Sequence, residues 1–134
     1  MTHLDTSFLV DLLREQQRRT PGPASEWLET HADESVGASV FVACELEAGA
    51  GRAAHPDGER RRLRELASIT IAYPDDRYAP VHGDTLARML LRVRSIATMD
   101  LLIATTALVE SVPLLTGNRR HFEHVPDLRV ISYK

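Results

Sequence analysis

Three acidic residues lie where a carboxylate is costly to bury. Asp5 follows the opening segment Met-Thr-His-Leu, Glu45 lies within Val-Phe-Val-Ala-Cys-Glu-Leu, and Asp100 begins Asp-Leu-Leu-Ile-Ala-Thr-Thr-Ala. An unpaired buried carboxylate costs roughly several kcal/mol, so acids in such surroundings usually have a cation as partner. Three acids that converge favour a hard divalent ion such as Mg²⁺ or Mn²⁺, because these ions prefer oxygen ligands. The sequence therefore indicates a candidate metal site.

Each acid also has a structural explanation, and the sequence leaves these open. Thr6 and Ser7 are good helix N-cap residues, and Asp5 can serve the same purpose, because side-chain oxygens accept from the first-turn N–H groups. Asp100 can satisfy a helix N-terminus, where a carboxylate gains about 0.3–1 kcal/mol. Glu45 can lie on a solvated helix face. The metal hypothesis depends on whether the three acids meet at one edge of the fold.

Other polar clusters are weaker candidates for chemistry. His121 and His124 are three residues apart, as zinc ligands can be, but no cysteine pair or His-Glu-x-x-His pattern accompanies them. The arginine-rich stretch 60–64 is most simply a solvated helix face. No serine, cysteine or histidine pattern indicates a covalent nucleophile. The chemistry therefore rests on the acids.

The composition is typical of a soluble globular protein. The 134 residues are 43% hydrophobic and 26% charged, and their length predicts a single domain spanning residues 1–134. The formal net charge of −3 gives no global signature of nucleic-acid binding, although basic residues can still cluster locally. The one cysteine, Cys44, excludes an intrachain disulfide. With no basic leader and no apolar stretch of about 18 residues, we expect a cytoplasmic protein.

Short strands alternate with helices along the whole chain. Strands are predicted just before Asp5 and at residues 36–38, 69–72, 114–116 and 128–131. Apolar periodicity predicts a first helix after Asp5, with Phe8, Leu9, Leu12 and Leu13 as its apolar stripe. Further helices are predicted at 24–31, 40–48 (capped by Ser39 and ended by Gly49), 59–67, 84–94 and 101–109, with a short helix or turn at 119–123. The helix at 101–109 is apolar nearly all round, so we expect it to be the most buried. Residues 55–58 are expected to form a loop. This alternation predicts an α/β domain with a mainly parallel sheet and helices on both faces.

Four motifs in this order resemble those of the PIN-domain ribonucleases, specifically the VapC-type toxins of bacterial toxin–antitoxin pairs. The first is Leu4-Asp5-Thr6-Ser7 followed by an apolar run, and the second is Ser39, Glu45-Leu46 and Gly49. The third is residues 100–107, and the fourth is Leu115-Thr116-Gly117-Asn118 with Phe122 after it. Together they cover nearly the whole chain, so the resemblance is specific.

The resemblance implies a three-layer α/β/α sandwich with an acidic pocket at the carboxyl edge of its sheet. It implies a metal-dependent endoribonuclease that hydrolyses RNA phosphodiester bonds and is neutralised by a cognate antitoxin. The residues it implies are the ligands Asp5, Glu45 and Asp100 for Mg²⁺ or Mn²⁺, the further catalytic residue Asn118, and the supporting hydroxyls of Thr6 and Thr116. Arg119 and Arg120 follow the fourth motif and could contact phosphates, or form a solvated basic turn.

VapC-like proteins usually dimerise, so a homodimer is expected. The predicted helix at 84–94 turns Leu86, Met89, Leu90 and Val93 inward by its periodicity and leaves Leu91 outside that stripe. Leu91 is therefore a candidate for the dimer contact.

The fourth motif departs from the family pattern. Family members often have an acid where Asn118 or His121 stands, and this chain has neither. The Asn118 amide can still donate or accept a hydrogen bond at the site, but it adds no charge. The sequence therefore leaves open whether the site holds one metal ion or two. A catalytically weak or inactive PIN-like module that binds RNA or protein is therefore an alternative. A receiver-type domain with an acidic Mg²⁺ pocket is a third, although Lys134 is the only lysine.

Overall fold

Strands and helices alternate as predicted in the computed structural model, which describes residues 1–66 and 68–134. The five strands in this part of the chain are β1 (Thr2–Leu4), β2 (Val36–Ser39), β3 (Thr70–Ala72), β4 (Leu114–Thr116) and β5 (Val130–Ser132). The seven helices found there are α1 (Thr6–Arg18), α2 (Pro23–Thr30), α3 (Val40–Gly51), α4 (Pro56–Arg64), α5 (Tyr78–Leu91), α6 (Thr98–Glu110) and α7 (Arg119–Phe122). Each predicted element is therefore present, with some boundaries moved.

Two helices begin earlier than predicted. The expected loop at 55–58 is wrong, because α4 begins at Pro56, and α5 begins at Tyr78 with Pro80 in its first turn. Proline is tolerated in a first helical turn, where the N–H it lacks would have no partner within the helix. The predicted helix at 59–67 included Ala67, which lies outside the described residues.

Two further predictions about helix ends are wrong. Gly49 does not end α3, which continues to Gly51 and buries Ala50 in its last turn. The helix α5 ends at Leu91, and Val93 takes a left-handed φ of 55°. Val93 therefore leaves the helical stripe, and both Leu90 and Val93 are exposed, at 65% and 93%.

The strands form a parallel sheet in the order β3-β2-β1-β4-β5. The chain adds strands on one side of β1 and then crosses to its other side at β4. Because parallel crossovers are right-handed, connections that run in opposite directions place helices on opposite faces of the sheet. The receiver-type interpretation is wrong, because that class has the order 2-1-3-4-5.

The core lies along the central strands and the helices that cover them. Phe8, Leu9 and Leu12 of α1 are buried, which confirms most of the predicted stripe. The expectation that the 101–109 helix is deeply buried is also confirmed, since six of its residues are buried in α6. Among the described residues, no helix combines the length and the apolar character that crossing a bilayer requires.

Candidate active site

The predicted catalytic residues meet at the point where the strand order reverses. The neighbouring strands β1 and β4 end there, and the N–H of Asp5 donates to the carbonyl of Leu115 at 3.1 Å. Ligands of open α/β sheets bind outside the carboxyl ends of the strands at such a switch point. A cavity of about 410 Å³ opens at this edge. The predicted residues among those that line it are Asp5, Thr6, Glu45, Asp100 and Asn118.

Asp5 is a buried carboxylate held by three donors. The residue is only 3% exposed. Its Oδ1 accepts from the Phe8 N–H at 3.0 Å and from the Ser7 hydroxyl at 2.7 Å. Its Oδ2 accepts from the Thr116 hydroxyl. Asp5 is therefore the N-cap of α1, a position that the sequence also left open to Thr6 and Ser7. Asp5 thus both caps the helix and lines the cavity.

Burial shifts the proton equilibrium of Asp5. Loss of hydration raises the pKa of this carboxyl, while the hydrogen bonds from Thr116, Phe8 and Ser7 act in the opposite direction. The net pKa is raised, because the donors compensate only part of the lost water. The folded protein thus holds this carboxyl in an environment that disfavours its charge.

Glu45 and Asp100 reach the same cavity from two helices. The Thr6 hydroxyl donates to Oε1 of Glu45 at 2.6 Å, which draws this half-buried side chain towards the start of α1. Asp100 lies in the first turn of α6, and its Oδ2 is 3.3 Å from Nδ1 of His121. Burial raises the pKa of Asp100, the charges of Glu45 and Asp5 raise it further, and His121 lowers it.

The acids have the chemistry of a divalent-metal site. In the part of the chain that the structure describes, no group of three or more His, Cys, Asp or Glu side chains is in position to hold one ion. Each acid instead contacts a neighbouring group, namely Thr116, Thr6 or His121. The charge of Glu45 raises the pKa of both Asp5 and Asp100, so a cation would relieve this repulsion. Carboxylate oxygens are the ligands that Mg²⁺ and Mn²⁺ prefer. The chemistry of the donor set therefore fits such an ion, although the described side chains are not arranged around a single position.

The raised pKa of Asp100 predicts a pH-dependent stability difference in the metal-free protein. Below the ordinary pKa of 3.8 the side chain is protonated in both the folded and the unfolded chain. As the pH rises from 3.8 through the raised pKa, the folded wild type loses stability relative to Asp100→Asn. Urea unfolding of both proteins in a chelator across this range measures the difference. A difference that does not change with pH would contradict the expectation.

The fourth motif supports the site mainly through Thr116. This residue is fully buried, and its hydroxyl donates to Asp5 while it accepts from the N–H of Asn118 at 2.9 Å. Thr116 thus acts through Asp5 and does not line the cavity. The Asn118 side chain lines the cavity and forms no capping hydrogen bond to α7.

The two arginines after the fourth motif lie in different surroundings. Arg119 donates through Nη1 to the Val130 carbonyl at 3.2 Å, so its guanidinium contacts β5. Arg120 lines an adjoining cavity of about 290 Å³ together with Asp100 and His121. Of the two, Arg120 is the one that shares a cavity with Asp100.

Several residues of the site were not predicted from the sequence. The Ser7 hydroxyl accepts from the Gly117 N–H at 3.0 Å while donating to Asp5, which ties β4 to α1. Ser7, Asp11 and Arg14 are spaced i, i+4 and i+7, so they share one face of α1 and could have been found. Lys134 also lines the cavity, although no sequence signal connects it with residues more than 120 positions away.

Comparison with known proteins identifies the family. The sequence profile of the PIN domain family matches residues 3–128. The ribonuclease VapC19 of Mycobacterium tuberculosis is 33% identical over 131 residues, which cover 96% of this chain and 98% of that protein. The chain therefore belongs to the PIN-domain family, among its VapC-type members.

Solved structures of toxin–antitoxin complexes contain the same fold. A chain of VapBC2 from Rickettsia felis, bound to a promoter DNA fragment, gives a TM-score of 0.90 at 22% identity, covering 99% of this chain and 98% of that one. A chain of FitAcB from Neisseria gonorrhoeae gives 0.84 at 24% identity, with the same coverage. The expected α/β/α sandwich is confirmed.

Proposed function

We propose that this protein is a Mg²⁺- or Mn²⁺-dependent endoribonuclease toxin that hydrolyses RNA phosphodiester bonds and is neutralised by a cognate antitoxin. The observation that carries the proposal is the placement of Asp5, Glu45 and Asp100 around one cavity at the switch point of the sheet. The ribonuclease name of the relative from M. tuberculosis and the antitoxin complexes among the structural neighbours support it.

The residues of the chain would share the work as follows. Asp5, Glu45 and Asp100 would hold the cation. When bound, such an ion lowers the pKa of water and stabilises negative charge on the attacked phosphate. Ser7 and Thr116 fix the orientation of Asp5, and Thr6 does the same for Glu45. Hydrogen-bond partners of this kind fix the orientation of side chains that hold a metal.

Mapping RNA ends in cells tests the proposed activity. Induction of the wild type should create new RNA ends at recurring sites, and Asp100→Asn should create none. Co-expression of a short adjacent open reading frame that encodes a DNA-binding antitoxin should suppress the cleavage. Identical RNA ends in cells with the wild type and with Asp100→Asn would contradict the proposal.

A catalytically weak or inactive binding module is the second candidate. It is favoured by the amide of Asn118 and the imidazole of His121, which stand where family members often have an acid. The two candidates differ in a purified system. RNA that binds but stays intact at saturating Mn²⁺ would support the binding module.

Replacing Asn118 with aspartate should tighten divalent-metal binding and raise the cleavage rate. An added carboxylate strengthens the coordination of a hard cation, and it increases repulsion in the metal-free cavity. Calorimetric titration with Mn²⁺ measures the affinity, and single-turnover cleavage measures the rate. The metal-free variant should unfold at slightly lower urea concentration. A lower plateau rate at saturating Mn²⁺ would show that the amide itself is needed.

The homodimer remains a prediction, and the structure offers a surface for it. Leu90, Leu91 and Val93 expose 65%, 84% and 93% of their area at the end of α5. An exposed apolar cluster of this kind is typical of an interface. Light scattering should give twice the chain mass of 15.0 kDa. Leu91→Lys should shift the measured mass towards that of a single chain. A wild type of single-chain mass at micromolar concentrations would contradict the prediction.

A further inference from the structure

Two basic side chains share one carboxylate at the wall of the acidic cavity, the one that Asp5, Glu45 and Asp100 line. Oδ2 of Asp11 accepts from Nζ of Lys134 at 2.8 Å and from the Tyr133 hydroxyl at 2.6 Å, and Oδ1 is 4.0 Å from Nη1 of Arg14. Burial opposes ionisation of Asp11, but the hydrogen bonds from Lys134 and Tyr133 lower its pKa. The Asp11 carboxylate therefore carries one negative charge, while Lys134 and Arg14 carry two positive ones. The side chains of these three residues together have a net positive charge.

The side chains of Tyr133 and Lys134 lie close to other parts of the chain. The ring of Tyr133 packs edge-to-face on Phe8, with ring centroids 4.8 Å apart. A Cβ atom added to Gly117 would lie 2.7 Å from Cε of Lys134 and 2.9 Å from the Tyr133 hydroxyl oxygen. Because Gly117 has no positive φ, the glycine serves to leave space rather than to permit a special backbone angle. Tyr133 and Lys134 therefore pack closely against Gly117, and Lys134 lines the acidic cavity.

The basic side chains continue away from the acidic cavity. Arg14 lines both that cavity and a neighbouring one of about 430 Å³, to which Thr6 and Glu45 also belong. Arg52 also lines this second cavity, as does the acid Glu59. A groove with basic groups therefore leads out from the carboxylates along α1 and α3.

Stability does not account for these basic groups. Arg14 and Lys134 expose 64% and 47% of their side chains, and exposed ion pairs contribute little to folding. An RNA strand that approaches three carboxylates meets repulsion, which neighbouring cations would offset while binding its phosphates.

We propose that Arg14 and Lys134, arranged by Asp11, form a phosphate-binding subsite that holds an RNA phosphate next to the scissile bond, with Arg52 extending it along the groove. The proposal rests on the proposed ribonuclease function, because it assigns the RNA a path through that site. The ligand chemistry is a phosphodiester of single-stranded RNA.

Direct RNA binding in a chelator tests the subsite without any cleavage. The variants are Lys134→Gln and Arg14→Gln, and the matched control is Arg88→Gln, whose guanidinium pairs with Asp84 and Asp127 and lines none of the cavities described above. Each subsite variant should weaken binding of a fluorescent single-stranded RNA about three- to tenfold at moderate salt. Each should also reduce the slope of log Kd against log salt concentration by about 1.

The controls separate charge from folding. Arg88→Gln should bind RNA like the wild type, and Lys134→Arg should restore binding because it restores the positive charge. Thermal unfolding of all variants should stay close to that of Arg88→Gln. With Mg²⁺ or Mn²⁺ present, Lys134→Gln and Arg14→Gln should raise the KM for RNA.

The outcomes distinguish this proposal from the proposed function. Subsite variants that bind RNA as tightly as Arg88→Gln overturn the subsite, while cleavage by the wild type would still support the ribonuclease. A wild type that binds RNA through these residues but never cleaves it supports the subsite alone. No RNA binding by the wild type overturns it, and so would an effect confined to inhibition by the antitoxin.

Discussion

Asp100→Asn should reduce RNA cleavage by more than about a hundredfold without destabilising the metal-free protein. Substitution of groups that only orient a metal ligand typically costs 10–100-fold, so loss of a charged ligand should cost more. The fold should tolerate the change, because burial and the charges of Glu45 and Asp5 already raise the pKa of Asp100. An amide of the same shape removes that repulsion. Loss of a negative charge near the start of α6 offsets part of the gain.

Two measurements on the same protein separate the two effects. Single-turnover cleavage gives the loss of activity, and urea unfolding in a chelator gives the free energy of unfolding. Glu47→Gln is the matched control, because Glu47 is an exposed acid on α3, two residues after Glu45, and lies outside the acidic cavity. A variant that unfolds clearly earlier than the wild type would assign Asp100 a structural role instead.

Asp5→Ala should lower the free energy of unfolding by about 3 kcal/mol in addition to abolishing cleavage. The substitution removes the acceptor for the Phe8 N–H and for the hydroxyls of Ser7 and Thr116. A buried donor without a partner costs about 1–3 kcal/mol, and loss of an N-cap alone costs about 1 kcal/mol. Relief of the buried charge and rotation of the two hydroxyls recover part of this cost.

Asp5→Asn provides the matched comparison. It keeps an oxygen for the Phe8 N–H and the Ser7 hydroxyl, so it should unfold much closer to the wild type, yet it should also lose cleavage. Urea unfolding of the three proteins gives the order of stability. An alanine variant as stable as the asparagine variant would show that the three hydrogen bonds do not hold the start of α1.

Local features of the structure followed from the sequence because they depend on near neighbours. The apolar spacing of Phe8, Leu9 and Leu12 predicted the buried face of α1, and Ser39 caps α3 as expected, accepting from the Phe41 N–H at 3.1 Å. Errors arose where tertiary packing or proline chemistry decided the boundary, as at Pro56 and Tyr78. The acids of the site were recognisable because each is unusual in its own local surroundings.

Only the tertiary structure decided how these residues meet. The order β3-β2-β1-β4-β5 places β1 beside β4, which brings Asp5 to Thr116 across 111 positions and Asp11 to Lys134 across 123. The tertiary structure also buries Asp5 as an N-cap that accepts three hydrogen bonds, and it leaves Asp100 half-buried beside His121. Strand order depends on which arrangement packs all the helices against the sheet at once, and that energy belongs to the whole core rather than to any segment of the chain.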